Sequence, residues 1–89
     1  MPFAVRLTPA ARRQFLALPR SVQDRLRPLL DTLAENPTPA PPLGRKLVGR
    51  DDTYRLAEGP YRVVYEVDRR EATVLVLWIG NRRDAYRRR

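Results

Sequence analysis

An arginine stands inside a run of residues whose pattern is typical of a β-strand. Residues 61–67 read YRVVYEV, so that tyrosines and valines alternate with Arg62, Val64 and Glu66. Burial of one face explains the valines, but it does not require a cation on the opposite face. A guanidinium can form two parallel hydrogen bonds to a phosphate. The pattern therefore predicts an open sheet face on which a polyanion binds.

The whole chain is basic, which agrees with such a surface. Its 89 residues carry 18 cationic and 10 acidic side chains, for a net charge of +8, and Lys46 is the only lysine. Residues 82–89 contribute five arginines against Asp84, which is half of the excess. A cationic excess of this size favours an anionic partner such as nucleic acid.

Several classes of protein are excluded or disfavoured by composition. The chain has no cysteine and no histidine, so disulfides and thiolate metal sites are excluded and a Ser-His-Asp hydrolase is disfavoured. We expect no metal site and no cofactor. No apolar run reaches the roughly 20 residues of a membrane span, and no signal peptide opens the chain. These features indicate a single cytoplasmic domain over residues 1–89 with no membrane association.

Two helices are predicted after a short first strand at residues 3–7. Thr8 and Pro9 are typical of a helix start, and the first helix is expected over residues 9–18. The second is expected over residues 22–36, with Ser21 as its cap and a kink or local 3₁₀ turn at Pro28. Its apolar stripe comprises Val22, Leu26, Leu29, Leu30 and Leu33.

The remainder of the chain is predicted to be β-structure. The proline-rich residues 37–44 are interpreted as a stiff surface connector. Strands are expected at residues 46–48, 54–57, 61–67 and 73–79, with turns at 58–60 and 68–71. The predicted fold is α+β: an N-terminal strand and a two-helix hairpin packed on one face of a small, mostly antiparallel sheet of about four strands. A short tail or helix follows from Arg82.

The element order and three sequence phrases resemble a known superfamily. The phrases are TYRL, GPYRVVYEV and VLWIGNRRDAY, and they resemble the RelE/ParE toxins of bacterial type II toxin–antitoxin systems over nearly the whole chain. RelE-like members enter the ribosomal A site and cleave mRNA. The resemblance therefore implies a metal-independent endoribonuclease whose partners are the ribosome, mRNA and a cognate antitoxin encoded nearby, in a hetero-oligomer.

The resemblance also assigns roles to individual residues. Arg62 matches the arginine that contacts the scissile phosphate, and Arg82 matches the cation that stabilises the transition state. Tyr86 matches the aromatic residue that stacks on an mRNA base, and these three are the implied catalytic residues. The implied RNA-binding residues are Arg55, Lys46 and Arg83.

The chain departs from the family at the proton acceptor. Ala57 occupies the position of a lysine that is the proposed general base in RelE, and Asn81 occupies a position that is often histidine. Glu58 and Glu66 are the nearby carboxylates. The general base is therefore not identified from the sequence.

Structural roles remain open for the same residues. Arg62 could pair with Glu66, Arg55 could be a solvated edge cation, and Tyr86 could anchor the C-terminus. Tyr65 and Trp78 are interpreted as core or sheet-packing residues rather than base-stacking platforms.

Two other functions also remain open. One is a ParE-like toxin that poisons DNA gyrase by protein contact, without nuclease chemistry. The other is an inactive remnant that still binds an antitoxin. The superfamily uses one fold for the nuclease and for the gyrase poison, so the fold cannot decide between these two activities.

Overall fold

Strands and helices follow one another along the chain in an α+β arrangement. The computed structural model describes residues 2–47, 49 and 52–85. Its elements are β1 (Ala4–Leu7), α1 (Pro9–Leu16), α2 (Arg20–Thr32), β2 (Gly44–Lys46), β3 (Thr53–Glu58), β4 (Tyr61–Asp68), β5 (Thr73–Asn81) and α3 (Arg82–Ala85). The strands form one sheet in the order β1-β5-β4-β3-β2. Only β1 and β5 are parallel among these neighbours, so the predicted class and mostly antiparallel character are confirmed.

The sheet has five strands rather than about four, because both β1 and the short β2 join it. β2 begins at Gly44, two residues before the predicted start. A Cβ atom at Gly44 would lie 2.6 Å from the carbonyl oxygen of Pro39. The missing side chain therefore lets β2 start against the proline-rich segment, a contact that propensity along the chain does not report.

Both helices of the hairpin end earlier than the sequence predicts. α1 begins as predicted, with Thr8 Oγ1 accepting a hydrogen bond from the Ala11 amide at 3.0 Å. It ends at Leu16, and α2 already starts at Arg20 after Pro19. No side chain caps α2, so the prediction of Ser21 as its cap is wrong. Pro19, with φ −54°, occupies the capping position instead.

One face of the sheet is covered by the helices and forms the core. The predicted apolar stripe is confirmed, since Leu26 and Leu33 are fully buried and Leu29 is half-buried. The buried apolar residues are Ala11, Phe15, Val22, Leu26, Leu30, Leu33, Leu56, Val63, Tyr65, Val67, Val74, Val76 and Ile79.

Part of the proline-rich segment belongs to this core. Pro37 is buried, and its carbonyl accepts a hydrogen bond of 2.9 Å from the hydroxyl of Tyr65. The Tyr65 ring also stacks on Tyr54, with centroids 5.9 Å apart. Burial raises the pKa of Tyr65 to about 12, with a smaller contribution from Tyr54. The prediction of a purely surface connector is therefore wrong at Pro37, while Tyr65 is the core residue that was expected.

None of the helices in the described part of the chain is long and apolar enough to cross a membrane.

Candidate nucleic-acid interface

β4 presents its arginine on the sheet face that the helices do not cover. Val63 and Tyr65 are buried beneath the helices, and alternation directs Arg62 and Val64 to the opposite side. The register with the neighbouring strands extends this surface, which we call the outer face. Its residues at this end of the sheet are Arg45, Arg55, Ala57, Arg62, Val64, Trp78 and Gly80.

Two rows of side chains cross the outer face. In the first, Arg45 is opposite Arg55, Arg55 is opposite Val64, and Val64 is opposite Trp78. In the second, Ala57 is opposite Arg62, and Arg62 is opposite Gly80. The two rows place three arginines and one aromatic residue on the same surface.

A β-bulge in β5 determines which residues reach the outer face. Val64 pairs with Trp78 but Tyr65 pairs with Val76, so Leu77 is an extra residue on β5. Strict alternation from Val76 would direct Trp78 into the core; the bulge reverses this and directs Ile79 inward. The amide of Ile79 donates a 2.9 Å hydrogen bond to Oε1 of Gln14 on α1. Gln14 thus satisfies a backbone group next to the bulge.

The ring of Trp78 lies over Gly80. A Cβ atom at Gly80 would be 2.6 Å from Cζ2 of the indole, closer than real Cβ contacts permit. The indole occupies the space that a side chain at this position would fill. Trp78 is half-buried and is a sheet-packing residue as interpreted, but it lies on the outer face rather than in the core.

The turn at residues 59–61 fixes both arginines that the resemblance marks as catalytic. Arg62 Nη1 donates to the carbonyls of Gly59 and Tyr61, at 2.9 Å and 2.8 Å. The carbonyl between them, that of Pro60, accepts the Arg82 amide at 2.6 Å. Gly59 has φ +56°, a left-handed conformation that glycine adopts without strain. Three consecutive carbonyls therefore place the Arg62 side chain and the Arg82 backbone at one end of the sheet.

Arg55 has an unusual environment for a cation. Its Nε and Nη1 atoms are shielded from solvent and have no hydrogen-bond acceptor among the described residues. Shielding such donors without an acceptor costs about 1–3 kcal/mol. Arg55 is therefore not a fully solvated edge cation, and its side chain would have to reorient for these two nitrogens to reach an anion on the outer face.

The remaining predicted cations divide between two surfaces. Arg82 and Arg83 are exposed and, with Pro60 and Asn81, line a depression beside the turn. Lys46 is opposite Tyr54, so it shares the helix-side face and is not brought together with Arg55. Tyr86 lies outside the described residues.

Neither nearby carboxylate is placed beside Arg62 on the outer face. Glu58 Oε2 forms an ion pair with Arg25 Nε of α2 at 3.3 Å, on the helix side. Glu66 is opposite Leu75, towards the far end of β4. Within residues 2–47, 49 and 52–85, no three acidic side chains are grouped to hold a metal ion.

Sequence reasoning missed Arg45 and the orientation of Trp78. Arg45 precedes the lysine that was selected, and only the register of β2 against β3 shows which of the two faces outward. Trp78 follows two inward-facing valines at the spacing of a core residue, and no local signal marks the bulge.

Comparison with known proteins gives consistent matches over the whole fold. Residues 5–86 match the family described as the ParE toxin of type II toxin-antitoxin system, parDE. Toxin RelG of Mycobacterium tuberculosis is 36% identical over 90 residues, which cover 99% of this chain and 100% of RelG. The archaeal RelE-RelB complex from Pyrococcus horikoshii matches with a TM-score of 0.81 and 27% identity, over 92% of this chain and 97% of that chain. The isolated E. coli RelE toxin matches with a TM-score of 0.79 and 25% identity, over 89% of this chain and 83% of that chain.

Proposed function

The chain belongs to the RelE/ParE family of toxins from type II toxin–antitoxin systems, and from this membership we propose that it is a ribosome-dependent mRNA endonuclease. Its target would be mRNA in the ribosomal A site, in the cytoplasm. The observation that carries the proposal is the turn at residues 59–61, whose carbonyls hold the side chain of Arg62 and the backbone of Arg82. Two guanidinium groups at one end of an open sheet face suit a phosphate.

The proposed chemistry uses the RNA's own nucleophile. The 2′-hydroxyl attacks the adjacent phosphorus, the bond to the 5′-oxygen breaks, and a cyclic phosphate and a 5′-hydroxyl result. The protein has to orient the hydroxyl and offset the extra charge of the pentavalent phosphorus. Arg62 and Arg82 would offset this negative charge, which develops only in the transition state. Tyr86 would place the substrate by stacking on a base.

The proton acceptor is the weakest part of this catalytic set. Ala57 is directly opposite Arg62 and offers no base, while Glu58 is engaged with Arg25 on the other side of the sheet. A missing general base forfeits roughly 10²–10⁴-fold in rate. We therefore propose a slower nuclease than family members that retain the lysine, acting on a substrate that the ribosome already positions.

Mapping of mRNA ends after induction tests this function. Primer extension on cellular transcripts should reveal discrete cuts in frame with codons. A gyrase poison, which the alanine at position 57 and the ParE match favour as the second candidate, would induce the SOS response without cuts. An active nuclease should give cuts, and the absence of both cuts and an SOS response would indicate an inactive remnant.

We also propose that an antitoxin encoded nearby neutralises the chain in a hetero-oligomer, as RelB accompanies RelE in the archaeal complex. A groove between β1, α1 and α2 offers an apolar surface, with Leu16 59% exposed and Arg27 5.2 Å above the Phe15 ring. The net charge of +8 favours an acidic partner. Co-expression with the neighbouring gene should restore growth; failure to bind or rescue would contradict the pairing.

A further inference from the structure

We propose that a single RNA strand crosses the outer face beyond the two catalytic arginines, with Trp78 stacking on a base and Arg45 binding the backbone. The identity of the ligand as RNA rests on the proposed function. The site itself rests on the row formed by Arg45, Arg55, Val64 and Trp78, which the register places side by side on four neighbouring strands.

Two backbone features place Trp78 at the aromatic end of this row. The β-bulge turns Trp78 out of the core, and the absence of a side chain at Gly80 leaves room for the indole. With one side of the ring on Gly80 and the residue only half-buried, a base can stack on the remaining surface. Aromatic side chains on an open sheet face are a common platform for single-stranded nucleic acid.

The cationic end of the row is unfavourable without a ligand. Arg45 and Arg55 are directly opposite on antiparallel strands, an arrangement that destabilises a sheet by some tenths of a kcal/mol. Arg55 Nε and Nη1 have no acceptor among the described residues, and Arg45 is exposed. A phosphodiester lying across both strands would relieve the repulsion, and the Arg55 side chain could turn towards it to give its shielded donors acceptors.

Trp78 could instead serve only to shield the backbone at Gly80, and its fluorescence separates the two roles. It is the only tryptophan of the chain, so quenching of its emission reports contact at this ring. The full chain is titrated with a short oligoribonucleotide that is 2′-O-methylated to remove the nucleophile. We expect quenching that saturates together with the anisotropy of a labelled oligonucleotide. An abasic residue scanned along the oligonucleotide should abolish quenching at one register.

Substitutions at Trp78 and Arg45 should change RNA binding by amounts that the proposed contacts predict. Trp78→Leu should weaken binding by roughly 5- to 100-fold and Trp78→Phe by much less, as one stacked base predicts. Arg45→Gln should lower the slope of log affinity against log salt by about 0.7, the value for one phosphate contact on a single strand. Arg70→Gln, an exposed cation in the turn after β4, is the charge-matched control. Circular dichroism confirms that each variant is folded.

Two results would overturn the inference: absence of binding, or binding without quenching. Equal effects of Arg45→Gln and Arg70→Gln would show that bulk charge alone attracts RNA and would also overturn it. Cleavage on ribosomes is measured separately. A wild-type chain that cuts mRNA while its fluorescence is unchanged would refute this site and leave the proposed function intact.

Discussion

On β4, Val63 and Tyr65 have no exposed surface beneath the helices, whereas Arg62 and Val64, which alternate with them along the strand, face outward. The inner face is held by apolar contacts that many residues share. The outer face is held by backbone groups instead: the carbonyls of residues 59–61 and the amide of Ile79. The core and the proposed chemistry therefore lie on opposite sides of the same strands.

This division makes the two faces separable by mutation. A change in the inner face should unfold the protein before it affects any particular step of catalysis. A change in the outer face should alter RNA chemistry and leave the fold intact, because the backbone amides of Arg82 and Ile79 keep their hydrogen bonds at the turn and next to the bulge.

Truncation of Leu26 should give the largest change in stability. The side chain is fully buried in the helix hairpin, and Leu26→Ala should lower the free energy of unfolding by about 2–5 kcal/mol through lost burial and a cavity. Chemical denaturation measures the loss. Leu16→Ala on α1 is the control, since its side chain is 59% exposed and should change stability by about 0.5 kcal/mol or less. Equal losses would contradict the assigned core.

Removal of either proposed catalytic arginine should have the largest effect on function. Arg82→Ala and Arg62→Ala should each reduce cleavage on programmed ribosomes about 100-fold, or about 3 kcal/mol, because each removes a charge that stabilises the transition state. Arg82→Ala retains the backbone amide that bonds to Pro60, so the turn should persist. Arg70→Ala is the matched control and should remain toxic.

If Arg62→Ala, Arg82→Ala and Arg70→Ala weakened toxicity equally, bulk charge rather than a specific site would explain the toxicity. If Arg62→Ala and Arg82→Ala both stayed fully toxic, gyrase poisoning would become the better account.

The sequence was sufficient for features that repeat along the chain and insufficient for those set by one long-range contact. Alternation around Arg62 and the stripe containing Leu26 identified the open face and the covered face. The start of β2 depends on Gly44 against Pro39, and the orientation of Trp78 depends on a single extra residue. Neither contact leaves a periodic signal. Family resemblance supplied the arginine roles, but it could not indicate that Glu58 is engaged by α2.

Comparison with Tyr65→Phe should show that the stability of the inner face depends on pH. At pH 7 the variant should be less stable by about 1–3 kcal/mol, because the buried Pro37 carbonyl loses its donor. The folded pKa of Tyr65 is raised from 10.0 to about 12. Its stabilising contribution is therefore complete below pH 10 and is lost as the pH rises through 12. Between pH 9 and 11.5 the wild-type chain should lose about 2 kcal/mol relative to the variant.

Urea titrations of both proteins at matched pH measure this difference. Taking the difference cancels the ionisation of groups that do not interact with Tyr65. A constant gap between the two proteins from pH 9 to 11.5 would mean that Tyr65 ionises as readily in the folded chain as in the unfolded one.

The smallest expected effect tests whether the inner face contributes to the chemistry at all. Glu58 and Glu66 are the two carboxylates nearest in sequence to Arg62. The Oε2 of Glu58 is paired with Arg25 on the helix side, where both side chains are partly exposed. Breaking such a pair costs about 0.2–1 kcal/mol, so Glu58→Gln should be nearly neutral for stability and for cleavage. Arg25→Gln should match it, because the two substitutions remove the same interaction. A general base would behave differently: its loss would lower the cleavage rate by roughly 10²–10⁴-fold and remove the rise of the rate with pH. A drop of that size in Glu58→Gln but not in Arg25→Gln would place a catalytic group on the covered side of the sheet and break the division between the two faces.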